Sequence, residues 1–143
     1  MPHVNIYIHI VFPTKHRRPI LDKDKRLLVF QHILRHCKEK DIIIDTIGGY
    51  TDHVHILIKL KPTQCLCEII KTIKGGSSWW ANTYNVLEES LYWARSYFSE
   101  SVNHYALRNV RKYILQQEEH HQKMTTDKEF ELLGKRWVKA NNS

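Results

Sequence analysis

An α+β fold of the split βαβ, or ferredoxin-like, type is predicted for this chain of 143 residues. Residues 3–12 alternate apolar and polar side chains with the period of a strand. Residues 42–50 and 53–60 read as two further strands joined by a two-residue turn, which is typical of a hairpin. With one helical pattern before this hairpin and one after it, the sequence predicts an antiparallel four-stranded sheet covered by helices on a single face.

The two helices that cross over the sheet are predicted from apolar residues at helical spacing. Asp22 can cap the first helix, which extends to about residue 40. The second helix occupies residues 62–80 and contains Gly75 and Gly76. Because glycine lowers helix propensity, this pair weakens the middle of the predicted helix.

The second half of the chain supplies the last strand and the additional C-terminal helices. Residues 91–98 are rich in aromatic side chains and predict the fourth strand. A long helix is expected from about residue 103 to residue 121, and a last helix over residues 127–137. With no linker or internal repeat, residues 1–143 are expected to form one domain.

Composition indicates a basic domain with polyanionic partners. The formal net charge is +7 and the isoelectric point is near 9.4, so its electrostatic field attracts nucleic acid whatever the sequence. Cys37, Cys65 and Cys67 do not have the spacing of a zinc knuckle, and we expect reduced thiols. No signal segment or membrane-length apolar run is visible, so a cytoplasmic location away from membranes is expected.

Two pairs of residues predict a metal site with a nucleophile beside it. His53 and His55 are one residue apart on a predicted strand and therefore point the same way. Tyr113 and Gln117 are one helical turn apart and also share a face. If that helix packs on the open face of the sheet, two imidazoles, an amide oxygen and a phenol meet at one point.

The residue types in this constellation suit chemistry on a phosphodiester. A His, His, Gln ligand set carries no negative charge, so a bound cation keeps its double charge and attracts an anion. A tyrosine hydroxyl, whose ordinary pKa is about 10, needs such help to ionise. Attack by Tyr113 on phosphorus would form a phosphotyrosine and free a 3′ hydroxyl, which conserves the bond for rejoining. Tyr105 lies in the same predicted helix but lacks a Gln four residues on.

These motifs resemble a known family. His53-Val54-His55 is similar to the histidine–hydrophobic–histidine signature of the HUH endonuclease superfamily. Residues 49–58 closely resemble the DHVH strand of small single-tyrosine transposases from bacterial insertion sequences and their REP-associated relatives. Residues 9–19, 73–78 and 113–121 match the same pattern in the same order, so the resemblance covers nearly the whole chain.

The resemblance implies roles for these residues. It implies that His53, His55 and Gln117 bind Mg²⁺ or Mn²⁺ and that Tyr113 is the nucleophile. It implies single-stranded DNA substrates recognised through hairpins at the element ends, with a 5′-phosphotyrosine intermediate. It also implies a homodimer with joined sheets, in which the tyrosine helix serves either its own histidine pair or that of the other subunit; the spacing leaves both arrangements open.

Further residues are candidates for DNA contact. Arg17 and Arg18, in a basic loop bordering the expected site, can contact phosphates. Lys71 and Lys74 share a helix face that can follow a hairpin stem or be simply solvated. The full candidate set is Lys15, Arg17, Arg18, Lys71, Lys74, Ser77 and Ser78.

Two other functions compete with transposition. A non-enzymatic nucleic-acid-binding module of the same fold would display aromatic side chains on its open sheet face, but the third strand displays His53, His55, Leu57 and Lys59 there. The other alternative is a further HUH nickase, a replication initiator or relaxase, or a domesticated REP-associated tyrosine nuclease. Small size and a tyrosine that follows the histidines favour the transposase.

Overall fold

The computed structural model describes residues 3–121, 125 and 127–133. The strands and main helices are β1 Ile6–Pro13, α1 Lys23–Glu39, β2 Ile43–Tyr50, β3 His53–Leu60, α2 Leu66–Thr83, β4 Phe98–Val102, α3 Leu107–Leu115 and α4 Gln117–His121. Short 3₁₀ turns occupy Lys15–Arg17 and His104–Ala106. Residues 127–133 are helical and are called α5 below.

The sheet has the predicted topology. Its strand order is β2-β3-β1-β4, and every neighbouring pair is antiparallel. This order, in which the two inner strands are β1 and β3, is that of the split βαβ arrangement. The α+β fold with a four-stranded antiparallel sheet and additional C-terminal helices is therefore confirmed.

The two faces of the sheet bury different clusters. Val54, Ile56 and Ile58 of β3 point toward α1 and α2 and belong to the main core. On the opposite face Leu57 packs against Leu107 and Ile114 of α3 in a second, smaller cluster. The alternation of β3 thus places its histidines under α3, because side chains at every second position share a face.

The position predicted for the fourth strand was wrong. Residues 91–97 form a loop, and β4 begins only at Phe98. Leu91 and Trp93 of this loop pack into the core, where Leu91 is fully buried and the Trp93 ring lies 4.9 Å from that of Phe12, whereas Tyr92 and Tyr97 are exposed. Both backbone polar groups of Leu91 bond the Asn82 side chain, so the loop needs no strand partner there.

The prediction of one long helix after β4 also needs correction. The predicted long helix stops at Gln116, whose φ of −104° and ψ of 30° depart from helical values, and α4 restarts at Gln117. By contrast, Gly75 and Gly76 do not interrupt α2. A Cβ on Gly76 would lie 2.6 Å from His36 Nε2, so the glycine lets α1 and α2 approach closely.

The remaining helices bear on two expectations from the sequence. Of the helix predicted for residues 127–137, residues 127–133 are helical and the rest lies outside the described residues. Within the described part of the chain, no helix has both the length and the apolar character needed to cross a membrane.

Candidate active site

The site is built on the first half of β3. His53 and His55 are fully buried and project from the sheet face that α3 covers. Gly48 of β2 pairs with His55 in the sheet register. A Cβ at Gly48 would lie 2.2 Å from the Ile114 carbonyl oxygen, so only glycine lets α3 descend onto the histidines at this point.

Neighbouring side chains orient both imidazoles. His53 Nδ1 lies 2.8 Å from Asp52 Oδ1, and His55 Nδ1 lies 2.9 Å from His9 Nε2. Each histidine therefore uses its Nδ1 for orientation and turns its Nε2 toward side chains of the C-terminal helices that follow α3. This division of roles between the two nitrogens is typical of histidines that bind metals.

The late helices bring the two other predicted residues to the same place. Gln117 Oε1 lies 3.1 Å from His53 Nε2, and Gln117 Nε2 donates a hydrogen bond to the Tyr113 carbonyl oxygen at 3.0 Å. The half-buried Tyr113 ring lies 5.4 Å from that of His55. The four residues singled out by spacing thus meet within one chain, although the helix between them is interrupted.

A carboxylate that sequence reasoning missed reaches the centre of the site. Glu129 of α5 is 2% exposed, and its Oε1 lies 3.0 Å from His55 Nε2. Tyr113 donates a hydrogen bond to the same oxygen. The other oxygen, Oε2, lies 3.3 Å from His53 Nε2 and 2.7 Å from His121 Nε2. A single Glu in a charged helix carries no spacing signal; the only local hint was the His120–His121 pair nearby.

The buried charges interact strongly. Burial disfavours a charged His53, but the carboxylates of Asp52 and Glu129 outweigh it and raise its pKa to about 9. Burial lowers the pKa of His55 to about 4, despite the adjacent Glu129. Burial alone would raise the pKa of Glu129, yet the imidazoles of His121, His53 and His55 hold it well below its usual range.

The donor set fits a divalent metal. Among the described residues, His55 Nε2 is buried without a hydrogen-bond partner of suitable geometry, a costly state that a bound ion would relieve. Imidazole nitrogens with an amide oxygen suit transition ions, and the oxygen also suits harder ions. His53, His55 and Gln117 could therefore hold the ion that the sequence predicted.

A cavity gives the tyrosine access to solvent. It measures about 360 Å³ and lies between β4, α3 and α5. His9, Tyr113 and Glu129 line it together with the apolar Val110 and Leu133. The Tyr113 side chain thus borders this cavity, whereas His53 and His55 are fully buried.

The basic loop lies close to α5. Arg17 forms an ion pair with Asp127 and places its guanidinium carbon 4.8 Å from the centre of the Phe130 ring. Arg18 pairs with Glu89. Lys15 and Arg18 both line a separate surface pocket. The structure thus places Arg17 against α5 and pairs both arginines with acidic side chains.

The candidate DNA-contact residues on α2 lie on the sheet face that α1 and α2 cover. Tyr113 lies on the opposite face. Lys71 is exposed, but Lys74 Nζ donates to the Ala94 carbonyl at 2.7 Å. The Ser77 hydroxyl is buried, donates to the Ile73 carbonyl and accepts from Trp93 Nε1. Ser78 donates to the Lys74 carbonyl. The structure thus brings none of the four to the histidines.

Comparison with known proteins assigns the family. A family model described as "Transposase IS200 like" matches residues 3–117, which include the whole sheet, both histidines, Tyr113 and Gln117. The chain belongs to the IS200-like transposase family. Transposases of the insertion sequence element IS200 from Salmonella typhimurium strain LT2 and from Salmonella typhi are each 31% identical to it over 74 residues. That match covers 52% of this chain and 49% of each relative, so the chain spans about half the length of the curated relatives it matches.

Solved structures share the fold. A crystal structure of a candidate transposase from Deinococcus radiodurans superposes with a TM-score of 0.65 at 18% identity and covers 80% of this chain and 92% of that one. A REP-associated tyrosine transposase bound to a REP hairpin superposes with a TM-score of 0.59 at 13% identity, covering 80% of this chain and 67% of that one. At these identities the likeness concerns the architecture.

Proposed function

We propose that this protein is a metal-dependent transposase that cuts and rejoins single-stranded DNA with Tyr113 as the nucleophile. The observation that carries the proposal is the convergence of four residues, predicted in two separate pairs, around the buried His53 and His55. Membership of the IS200-like family supports DNA strand transfer as the reaction of this site.

In this proposal the metal's ligands include His53, His55 and Gln117. When bound, a divalent ion supplies positive charge that polarises the scissile phosphate. Asp52 and His9 keep the imidazole rings oriented through their Nδ1 atoms. Gln117 is held with its oxygen toward His53, because its amide nitrogen donates to the backbone of Tyr113.

The proposed reaction at Tyr113 is a transesterification at phosphorus. The hydroxyl loses its proton, its oxygen attacks phosphorus, and the bond from phosphorus to the 3′ oxygen breaks. The departing 3′ oxygen takes up a proton, and the 5′ phosphate stays on Tyr113. The reverse reaction with another 3′ hydroxyl rejoins the strands without an external energy source.

The proposed substrate is single-stranded DNA with hairpin ends. The net charge of +7 supports a polyanionic partner. A structurally similar REP-associated transposase is bound to a REP hairpin, and we extend that class of ligand to this chain. The homodimer implied by the resemblance stays a prediction, with Tyr113 lying beside the histidines of its own chain.

The nucleophile is tested by replacing Tyr113 with Phe. We expect Tyr113→Phe to abolish the denaturation-resistant adduct with labelled single-stranded hairpin DNA from the gene's own flanks, while hairpin binding stays within about twofold. Tyr105→Phe is the matched control, because Tyr105 is 90% exposed and should leave the adduct unchanged. Adduct formation by Tyr113→Phe would show that another residue attacks phosphorus.

Metal dependence is tested separately. We expect a chelator to stop cleavage by the wild-type protein and added Mn²⁺ to restore it, since the neutral His, His, Gln set cannot polarise phosphate alone. Cleavage at an unchanged rate in chelator would remove the metal from the proposal without touching the role of Tyr113.

A further inference from the structure

We propose that Glu129 is a fourth protein ligand of the divalent metal, beside His53, His55 and Gln117. This inference rests on the proposed function, because it concerns the same site. It adds an anionic ligand from α5 that lies outside the matched residues 3–117. The neutral ligand set predicted from the sequence then becomes a set with one negative charge.

The placement of the carboxylate carries the first step. Glu129 is 2% exposed, and its two oxygens lie 3.0 Å from His55 Nε2 and 3.3 Å from His53 Nε2. An ionised carboxylate taken out of water is costly unless it is paired or coordinates a metal. The chain therefore incurs a substantial desolvation cost to bring this group between the two histidines.

The orientation of the atoms carries the second step. His55 Nε2 lies 3.0 Å from Glu129 Oε1, yet neither this nitrogen nor Glu129 Oε2 has a hydrogen-bond partner of suitable geometry among the described residues. Atoms that bind one metal ion point their lone pairs at a common centre rather than at one another. Ligand atoms of one ion are therefore expected to lie close together without the angles of a hydrogen bond. An ion pair without a metal would direct the N–H of each imidazole at a carboxylate oxygen.

The distances between the candidate ligand atoms also fit a single bound ion. Around an ion with bonds of about 2.1 Å, neighbouring ligand atoms in an octahedron lie about 3.0 Å apart. The distances from the carboxylate to the two imidazoles, 3.0 and 3.3 Å, are of this size. The same holds for the 3.1 Å between His53 Nε2 and Gln117 Oε1. Together the four side chains can form part of one coordination shell.

Helix α5 has anchors that do not depend on Glu129. Asp127 pairs with Arg17, and the Phe130 ring lies beneath the Arg17 guanidinium. Leu133 is buried at 5% exposure. These contacts, spaced about one turn apart along the helix, position α5 so that the intervening Glu129 projects into the site.

A mixed set of two imidazoles, an amide and a carboxylate favours Mn²⁺ over Mg²⁺, which prefers oxygen ligands and retained waters.

The closing experiment measures metal binding by the purified full-length chain. Mn²⁺ affinity is determined by calorimetry and by the electron paramagnetic resonance signal of free Mn²⁺ for wild type, Glu129→Gln and Glu131→Gln. The Gln variant keeps the size of the side chain but removes its charge, and Glu131 is a half-exposed carboxylate on the same helix. We expect Glu129→Gln to bind Mn²⁺ at least about tenfold more weakly and Glu131→Gln to bind within about twofold of wild type.

The outcomes separate this inference from the proposed function. If wild type binds no Mn²⁺, the metal in the proposed function fails. If wild type binds and Glu129→Gln binds equally well, only the role of Glu129 fails, and faster cleavage by that variant would show that the carboxylate blocks the site.

Wild-type crystals soaked in MnCl₂ give a test that does not depend on a variant folding. An anomalous peak bonded to both histidines and to a Glu129 oxygen is expected. A peak on the histidines with the carboxylate turned away overturns the inference.

Discussion

Asp52 shows how one side chain next to a proposed metal ligand shapes the site. It directly precedes His53, and its Oδ1 lies 2.8 Å from His53 Nδ1. Because adjacent strand residues point to opposite faces, this contact forms where the hairpin turn meets β3 and the backbone leaves regular alternation. The turn therefore orients the His53 ring as well as reversing the chain.

Replacing Asp52 by Asn should weaken metal binding without removing a ligand. The amide cannot supply the negative charge that supports His53, and loss of such a partner typically costs about 10- to 100-fold in metal affinity. Calorimetric titration of Mn²⁺ into Asp52→Asn measures the effect. Asp41→Asn is the control, since Asp41 is 82% exposed on its side chain and pairs with Lys61 at the far end of β3. Equal affinities for both variants would contradict the role given to Asp52.

At the scale of elements, the docking of α3 on the sheet decides whether the site exists. Ile114 is fully buried against Leu57, and Gly48 provides the space for its backbone. Arg111 adds a two-pronged contact by donating from Nε and Nη2 to the two oxygens of Asp45 at 2.8 and 2.7 Å. Close backbone approach and a planar ion pair together fix where Tyr113 lies.

Gly48→Ala should push α3 away from the histidines. The added Cβ would lie 2.2 Å from the Ile114 carbonyl oxygen, and overpacking of this kind typically costs about 1–3 kcal/mol. We expect a lower midpoint of urea unfolding and slower adduct formation. Gly75→Ala is the control, because a Cβ there meets nothing within 4 Å. In helix α2 that substitution should be neutral or stabilising.

The Asp45–Arg111 pair should make stability depend on pH at the acidic end. The hydrogen bond from Arg111 holds the pKa of Asp45 below its usual range. A depressed pKa in the folded state means that the stabilisation is fully present above the pKa of the unfolded chain and is lost as pH falls from there through the lower pKa of the folded state. The melting temperatures of wild type and Asp45→Asn should therefore differ near pH 7, and the difference should shrink as pH falls below about 4. Curves that stay equally far apart at pH 3 would exclude this origin.

At the scale of the whole molecule, the net charge bears on the proposed binding of DNA. The +7 charge acts on every phosphate without regard to sequence. Some of the basic groups nearest the site are already engaged, since Arg17 pairs with Asp127 and Arg18 with Glu89. Lys15 lines a surface pocket of the same basic loop and is a more direct candidate for phosphate contact.

Hairpin affinity should fall steeply as salt concentration rises. A plot of log affinity against log salt concentration is expected to be linear, because each phosphate contact releases counterions. Lys15→Gln should make its slope shallower by about 0.7 to 0.9. Lys61→Gln, at the far end of β3 beside Asp41, should leave the slope unchanged. Fluorescence anisotropy of labelled hairpin DNA measures both, and identical slopes for wild type and Lys15→Gln would remove Lys15 from the interface.

The periodicity of the sequence was sufficient to predict which faces of the strands and helices carry the site residues. The alternation in β1 and β3 predicted which side chains face α1 and α2, and hence that His53 and His55 share the other face. The four-residue spacing of Tyr113 and Gln117 predicted their common direction. These are local properties of backbone geometry, so a pattern over a few residues is enough to reveal them.

The rest was decided by contacts between distant parts of the chain. Residues 91–97 resembled a strand because they are rich in aromatic side chains, but Leu91 and Trp93 pack into a core whose shape no local pattern encodes. Glu129 has no distinguishing neighbours in sequence, yet α5 carries it to histidines more than seventy residues earlier. Packing of whole elements brings such groups together, and therefore only the tertiary structure reveals the carboxylate at the centre of the site.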